Sequence, residues 1–279
     1  MRSFDELKQL LRQIKNNDCN ISDDLDINCI ITDMLKFIGH LDSELRIQLI
    51  EEIFLKWFRN EILSTVQMRN ILNVCIGEQH LFFGIGESNT DSVFIRAFSI
   101  LIVPMVLSVH QKNAFLTENE VLKVKDAVLQ YARQEKDFRG YVDDKGWAHA
   151  IAHAADGLGS IAKLGCVGRE GLLEILDVIR EMVANREGMY SYWEDERMVT
   201  SFMDIYNRKI LADSDILDWL SNFRTKSWDG VFDVIKPPFD WHLKTNQKHF
   251  LRSLYFRLLS QEDAEAICDG IVDILQKSY

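Results

Sequence analysis

The chain has 279 residues, of which 47% are hydrophobic, and this is enough apolar material to bury a sizeable core and to exclude an intrinsically disordered protein. Its formal net charge of -11 argues against nucleic acid as a partner, because affinity for phosphates depends on clustered Lys and Arg. The 5 cysteines are odd in number and form no CxxC pair, so they predict neither a disulfide framework nor a zinc knuckle.

The N-terminal segment and the longest apolar run bear on cellular location. Residues 1–17 carry charges throughout and lack the apolar core of a secretory signal. The apolar run at 97–109 contains Pro104 and is shorter than the roughly 20 residues that a bilayer requires, so it predicts a buried helix kinked at the proline. We therefore expect a cytoplasmic protein without a membrane partner.

Helical patterns follow one another along the whole chain, and only 3 prolines and 14 glycines interrupt them. Capping boxes formed by Ser3 with Glu6 and by Thr117 with Glu120 predict two of the helix starts. Residues 227–240 predict a long irregular loop. The predicted helical segments are 7–14, 27–38, 45–58, 64–82, 94–107, 121–131, 147–164, 169–185, 194–211, 214–224, 241–259 and 261–277.

About twelve helices in antiparallel pairs predict an all-α fold, and the absence of a clear linker predicts a single domain over residues 1–279. Successive helices recur at intervals of about 20–25 residues, so that a pair has the length of a HEAT or armadillo unit, roughly 40–47 residues. Two architectures fit this spacing. One is an open HEAT/armadillo-like α-solenoid, and the other is a closed α/α toroid.

The segment GIGESNTD at residues 84–91 has the glycines of a phosphate-binding loop but lacks its lysine. Glu87 and Asp91 would repel a phosphate, so the segment predicts a tight turn between helices, with both acids kept as binding candidates. Arg96 follows on an otherwise apolar helix and requires carboxylate partners if it is buried. The candidate partners are Asp91, Asp137 and Asp156.

Polar and aromatic residues crowd the stretch before the helix predicted at 147–164. Asp143 or Asp144 can cap exposed backbone N–H groups at a helix start, which needs no ligand. Alternatively, Arg139 clamps an anionic group while Trp147 offers a flat apolar wall, with Tyr141 close by. Both interpretations stay open on the sequence.

His149, His153 and Asp156 fall on one face at the helical period, with alanines between them. Two imidazoles and a carboxylate could hold a divalent metal and leave a fourth position for water, as catalytic zinc sites do. The same side chains could serve acid–base chemistry or ligand hydrogen bonding without a metal. The structural alternative is that carboxylates of adjoining helices satisfy both imidazoles.

The segment MYSYWEDER at residues 189–197 combines aromatic rings with acidic residues. Acids in the first helical turn complement the helix dipole, and this structural interpretation needs no ligand. The functional alternative is a lip of rings and carboxylates, including Tyr192 and Asp195, that binds a sugar or a cation.

Three segments of the chain resemble the motifs of a bacterial, mainly Gram-positive, family known as domain of unknown function 2785. They read IGESNTDSVFIRAFS at 85–99, RGYVDDKGWAHAIAHAAD at 139–156 and EDER at 194–197. The resemblance covers nearly the whole chain. It implies a helical protein of HEAT-like character and implies no established activity, substrate or catalytic residue.

Two function classes are compatible with these observations. The first is a helical-repeat binding module with a His/Asp/Arg pocket on its concave face, whose partner is a protein segment or a small molecule. The second is a hydrolase, metal-dependent in one form, which uses His149, His153 and Asp156 while Arg139 positions the substrate. A divalent metal is the only cofactor that the sequence suggests.

Overall fold

The computed structural model describes residues 2–223 and 239–278. This part of the chain is mostly helical, with twelve α-helices, one π-helix and one two-stranded sheet, which confirms the helical class. All but the last two residues of the loop predicted at 227–240 lie outside the described residues. The elements are α1 (Phe4–Asn16), α2 (Ile27–Lys36), the π-helix (Glu44–Glu51), α3 (Glu52–Arg59), α4 (Thr65–Cys75), α5 (Ser92–Lys112), α6 (Glu118–Gln134), β1 (Tyr141–Val142), β2 (Gly146–Trp147), α7 (Ala150–Ala162), α8 (Arg169–Val183), α9 (Glu194–Tyr206), α10 (Asp213–Ser221), α11 (Phe239–Leu258) and α12 (Glu265–Ser278).

Both predicted capping boxes are confirmed. The Ser3 hydroxyl accepts a hydrogen bond from the backbone of Glu6 at 3.4 Å, and the Glu6 carboxylate accepts one from the backbone of Ser3 at 2.8 Å. Thr117 and Glu120 exchange the same two bonds at 3.3 and 2.8 Å. These local bonds satisfy N–H groups that have no partner within the helix, which is why they set the helix starts.

The chain divides into two compact units, Met1–Gly157 and Leu158–Tyr279. The single domain over residues 1–279 stays a prediction. In the first unit α5 packs against α3 and α4. In the second unit α11 packs against α8, α9 and α12, and α10 packs against α8 and α12.

Helix α5 forms the most apolar part of the first unit. It has 21 residues, longer than the apolar run alone suggests, and contains Pro104. Its length and composition would allow it to cross a membrane, but 72% of its most apolar window is buried inside the protein. The prediction of a buried helix is confirmed, and the burial is consistent with a soluble protein.

Two element boundaries differ from the sequence-based expectation. The helix predicted to reach residue 82 ends at Cys75, because Gly77 and His80 enter turns in which their backbone N–H groups bond to Val74 and Gly77. The helix predicted at 45–58 begins as a π-helix before α3. Apolar spacing over one short element does not distinguish a π-helix from an α-helix, because both bury one face.

Candidate functional site

A short hairpin precedes α7 where the sequence predicts the helix to begin at Trp147. Tyr141 pairs with Trp147 and Val142 with Gly146 in the antiparallel strands β1 and β2. The turn between the strands requires left-handed backbone at Asp144 (φ 64°) and Gly146 (φ 80°), which explains the glycine. Asp144 therefore belongs to a hairpin turn, and α7 begins only at Ala150, whereas the sequence predicts a helix start close to Asp144.

His149 lies outside the helix that carries His153. Helix α7 begins at Ala150, and His149 has a φ of 54° in the left-handed region. The prediction that His149 shares a helical face with His153 and Asp156 is therefore wrong. The His149 ring lies 4.5 Å from the Trp147 ring between centroids, and its backbone N–H donates to the Arg139 carbonyl at 3.2 Å.

His153 joins α7 to α5. Its Nδ1 lies 3.0 Å from the Ala97 carbonyl oxygen, and its ring meets the ring of Phe98 edge-on at 6.0 Å. A carbonyl oxygen only accepts, so Nδ1 carries the proton in this bond and Nε2 is the acceptor in the neutral ring. The ring of His149 is 6.0 Å from that of His153. His153 therefore helps to pack α7 against α5.

The metal interpretation of these residues gains no support from their arrangement. In residues 2–223 and 239–278, no group of three or more His, Cys, Asp or Glu side chains is placed to hold a metal ion. His153 uses Nδ1 on a backbone carbonyl. A metal held by His149, His153 and Asp156 stays a prediction.

Arg96 is completely buried in α5 and forms a bidentate ion pair with Glu135 at 2.7 and 2.9 Å. Glu135 was not identified as the partner from the sequence. The candidates were Asp91, Asp137 and Asp156, and this ion pair involves none of the three. The other guanidinium N–H groups donate to the carbonyls of Phe83, Gly84 and Glu87 and to the Ser92 hydroxyl. Arg96 therefore fixes the loop that contains residues 84–91.

Arg139 binds the same loop. It forms an ion pair with the buried Asp137 at 2.6 Å and donates to the Thr90 carbonyl at 2.6 Å. Asp137 also accepts a hydrogen bond from the Asn89 backbone at 2.9 Å. A guanidinium used in this way holds the chain together, so the anion clamp that we predicted for Arg139 has no support here.

The two acids of the loop are also in use. The Glu87 carboxylate accepts hydrogen bonds from the hydroxyls of Ser92 (2.7 Å) and Thr90 (2.9 Å), and these bonds lower its pKa. Asp91 forms an ion pair with Lys145 of the hairpin turn at 2.6 Å. The loop is thus an internally bonded connection between α4 and α5, as the turn interpretation expects.

Arg46, on the π-helix, is a buried arginine that sequence reasoning missed. Its guanidinium donates to the carbonyls of His40 and Lys145 and lies over the rings of Phe94 and Phe98, 4.3 and 4.9 Å from their centroids. Burial lowers its pKa to about 10, because desolvation disfavours the charge. Because Arg46 closely follows Asp42 and Glu44 in the sequence, it resembles part of an exposed charged segment, and its burial was not predictable.

Glu51, at the end of the π-helix, should make the free energy of unfolding depend on pH. Burial, and then the charge of Glu52, raise the pKa of Glu51 from an ordinary 4.5 to about 7. The folded state therefore holds this proton more tightly than the unfolded state does. Stability from this group is fully present below the unfolded pKa and is lost as pH rises through 7, so Glu51→Gln should raise the free energy of unfolding by about 1–3 kcal/mol at pH 8.

The measurement is urea unfolding of both proteins at pH 5 and pH 8. We expect the gain from Glu51→Gln to be small at pH 5 and large at pH 8, since the wild-type carboxyl is neutral at the lower pH. The exposed Glu78→Gln is the matched control. An equal gain at both pH values would contradict the raised pKa.

The second unit has a cavity of about 610 Å³ at the start of α9. We call it the α9 cavity. Two aromatic residues, Tyr190 and Trp193, belong to its lining. Its ionisable lining residues are Asp195, Glu196, Arg197, His249 and Arg257.

Trp193 combines two uncommon properties. Its side chain is 77% exposed although it is the largest apolar residue type, and its backbone is left-handed with a φ of 67°. Left-handed backbone costs a bulky residue on the order of 1–3 kcal/mol and persists only where the surroundings enforce it. The sequence signal was the aromatic run before the acids; its unusual conformation was not predictable.

The loop before α9 is held by a buried amide. Asn246 of α11 is 0% exposed and accepts a hydrogen bond from the Tyr190 backbone at 3.0 Å. It also donates to the carbonyls of Gly188 (2.9 Å) and Asn185 (3.3 Å). The Tyr190 hydroxyl donates to the Met182 carbonyl at 2.6 Å, and burial raises the pKa of Tyr190. These bonds leave the loop little freedom.

The two residues predicted in this segment have different positions. Asp195 lines the cavity and accepts a hydrogen bond from the Ser253 hydroxyl at 3.4 Å. Tyr192 is exposed next to the cavity, and its backbone N–H donates to the buried Glu194 carboxylate at 2.8 Å. Glu196 lies 3.5 Å from Arg257. The acids thus do more than complement the helix dipole, since two of them reach into the cavity.

A cavity of about 740 Å³ lies between α1 and α2 in the first unit. Its buried Asp33 pairs with Arg2 at 2.8 Å, and its Glu6 belongs to the capping box of α1. No strained or strongly exposed ring borders it among the lining residues. It is therefore the weaker of the two candidate ligand sites.

The comparisons with known proteins add one finding. A family model described as "Protein of unknown function (DUF2785)" matches residues 81–256. Neither a curated protein nor a solved structure matches the chain. The matched segment is shorter than the nearly complete coverage that we predicted, but it spans more than half of the chain and includes the loop at 84–91, the hairpin and the start of α9. The chain therefore belongs to the DUF2785 family of proteins of unknown function.

Proposed function

We propose that this protein is a binding module and that the α9 cavity is its site for a small molecule. The observation that carries the proposal is Trp193, which is exposed and left-handed at the edge of a cavity with ionisable side chains. An exposed ring on strained backbone next to polar groups favours a recognition site, because strained residues cluster at active sites and at positions that hold ligands.

Preorganisation supports this proposal. Four hydrogen bonds of Asn246 and Tyr190 hold the loop before α9, so the segment that leads to Trp193 is ordered before a ligand arrives. A site that is ordered in advance loses less conformational entropy on binding. The cavity volume of about 610 Å³ is also within the range of small-molecule sites.

In this proposal the His/Asp/Arg cluster of the first unit has a structural role and does not bind the ligand. Arg96, Arg139 and Asp137 bind backbone groups of the loop at 84–91, and Arg46 binds a backbone carbonyl of the hairpin turn. Side chains used in this way organise a surface and do not form a pocket. We propose that they keep the loop and the hairpin in one conformation.

The hydrolase alternative finds less support. It relies on His149, His153 and Asp156 as a constellation, but His149 lies outside α7 and His153 is bonded to the Ala97 carbonyl. We therefore place binding before catalysis.

We also propose a HEAT-like arrangement of helix pairs and a cytoplasmic location. HEAT-like helical hairpins within each unit agree with the packing of α1 on α2 and of α11 on α12, which are neighbours in sequence. A cytoplasmic location agrees with the five cysteines, all of which are free thiols.

The test compares Trp193→Ala with the wild type by ligand-observed NMR. The probes are neutral mono- and disaccharides, choline, single amino acids and short acidic and basic peptides. We expect one probe class to bind the wild type with a Kd of roughly 10 µM to 1 mM and to bind Trp193→Ala at least about tenfold more weakly. The stacked ring would supply this difference.

Trp241→Ala is the matched control, because Trp241 is an exposed tryptophan of the same unit that does not line the cavity. Its affinity for the probe should equal that of the wild type. If no probe class binds in a manner that depends on Trp193, while both variants keep the wild-type circular dichroism spectrum, the α9 cavity is not a ligand site.

A further inference from the structure

On the basis of the proposed function, we infer that the ligand of the α9 cavity is a neutral, hydroxyl-rich ring compound, such as one or two units of a saccharide. The inference deepens the proposal for the same site by naming the chemical class. It rests on the charge balance of the lining, on its hydrogen-bonding groups and on the position of Trp193.

The carboxylates and the guanidinium groups of the lining balance one another. Asp195 and Glu196 are opposed by Arg197 and Arg257, and the guanidinium of Arg257 lies 3.5 Å from the carboxylate of Glu196. A ligand with a net charge of either sign would meet attraction and repulsion of similar size at such a surface. A neutral ligand avoids the repulsion, so the balance selects for it.

The polar groups suit hydroxyls in particular. Carboxylates only accept hydrogen bonds and guanidinium groups only donate them, whereas a hydroxyl does both. The lining offers acceptors at Asp195 and Glu196 and donors at Arg257. The Thr200 hydroxyl donates to the Glu196 carbonyl at 2.9 Å, which leaves its oxygen available as a further acceptor. A ring with several hydroxyls can use both kinds of group at once.

Trp193 supplies the apolar part of the recognition. The C–H groups on one face of a sugar ring form a flat apolar patch, which stacks on an indole ring. The 77% exposure of Trp193 leaves its ring accessible to such a face, and its fixed backbone holds the ring at the cavity. Stacking on one face and hydrogen bonding at the edge together match the two surfaces of a sugar.

The strongest rival is a quaternary ammonium cation. A tryptophan face attracts cations, and the whole chain carries a net charge of -11. Against this, the guanidinium groups of Arg197 and Arg257 lie in the same lining and offset the attraction of Asp195 and Glu196 for a cation. The net charge of the whole chain changes this local balance little, because salt screens charges beyond about 8–10 Å.

The deciding experiment is isothermal titration calorimetry of the 279-residue chain at 20 mM and at 500 mM NaCl. The probes are glucose, galactose, mannose, N-acetylglucosamine, maltose, cellobiose, choline and trilysine. We expect at least one saccharide to bind with a Kd that changes less than twofold between the two salt concentrations. Trp193→Ala should weaken that binding at least tenfold, Trp193→Phe should restore part of it, and Trp241→Ala should leave it unchanged.

The outcomes separate the inference from the proposed function. If choline or trilysine binds in a Trp193-dependent manner that weakens at high salt, and no saccharide binds, the saccharide assignment is overturned while the binding site stands. If no probe of either kind depends on Trp193, both are overturned. Saccharide binding that persists unchanged in Trp193→Ala would place the ligand elsewhere and would also overturn the inference.

Discussion

Glu135→Gln is expected to lower the free energy of unfolding by about 3–5 kcal/mol, because it removes the counter-ion of a buried charge. The side chains of Arg96 and Glu135 are both 0% exposed, and two hydrogen bonds join them. Glutamine keeps the shape but places an NH2 group where Arg96 needs an acceptor. It also weakens the bonds that the Glu135 carboxylate accepts from the backbones of Lys136 and Asp137. Urea unfolding followed by circular dichroism measures the loss.

Glu44→Gln is the matched control for this prediction. Glu44 and Arg12 form a bidentate pair with two bonds of 2.7 Å, and Lys8 lies 2.9 Å from the same carboxylate, but 53% of the Arg12 side chain is exposed. Water can replace the partner of an exposed charge, and the loss of stability should be far smaller there. Equal losses for the two variants would show that burial does not set the cost.

Arg46→Ala should be similarly destabilising, by about 3–5 kcal/mol, for a different reason. The substitution leaves the carbonyls of His40 and Lys145 without the Arg46 donor and opens a cavity beside the rings of Phe94 and Phe98. The hairpin should lose protection first, because Arg46 is the buried group that binds its turn. Hydrogen exchange of the amides from Tyr141 to Trp147 measures this, alongside urea unfolding.

Arg59→Ala controls for the loss of a positive charge, since Arg59 is an exposed arginine at the end of α3. It should leave both the unfolding free energy and the hairpin protection close to the wild-type values. If Arg46→Ala unfolds the chain completely, Arg46→Lys still tests the argument. Lysine cannot reach both carbonyls as a guanidinium does, so the hairpin should exchange faster while the helices remain.

The sequence predicted the helices well and their interruptions poorly. The capping boxes at Ser3 and Thr117 and the apolar stripes were sufficient to locate most helices, because capping and helical periodicity involve residues only three or four positions apart. The hairpin before α7 was missed, since its signal is a single glycine in a stretch that also fits a helix start. The π-helix was missed because it buries a face as an α-helix does.

The candidate site residues were located in part. The acidic and aromatic segment before α9 stays a predicted binding segment, and its Asp195 lies in the lining of the α9 cavity. The interpretation of Arg96 as a buried arginine was correct, but its partner Glu135 was not found. The shared face of His149 and His153 was wrong, because a left-handed residue ends the helical geometry that the prediction assumed.

The sequence by itself determined the helical class, the starts of several helices and the burial of α5, because these follow from composition and from contacts between residues close in the chain. Only the tertiary structure decided which polar groups meet. The Arg96 bond to Glu135 spans 39 positions, the Arg46 bond to the Lys145 carbonyl spans 99, and the Tyr190 bond to Asn246 spans 56. Such pairs depend on how whole helices pack, and each polar group has several chemically equivalent candidates along the chain. The packing selects among them, because a buried polar group without a partner costs more than the hydrogen bond itself contributes.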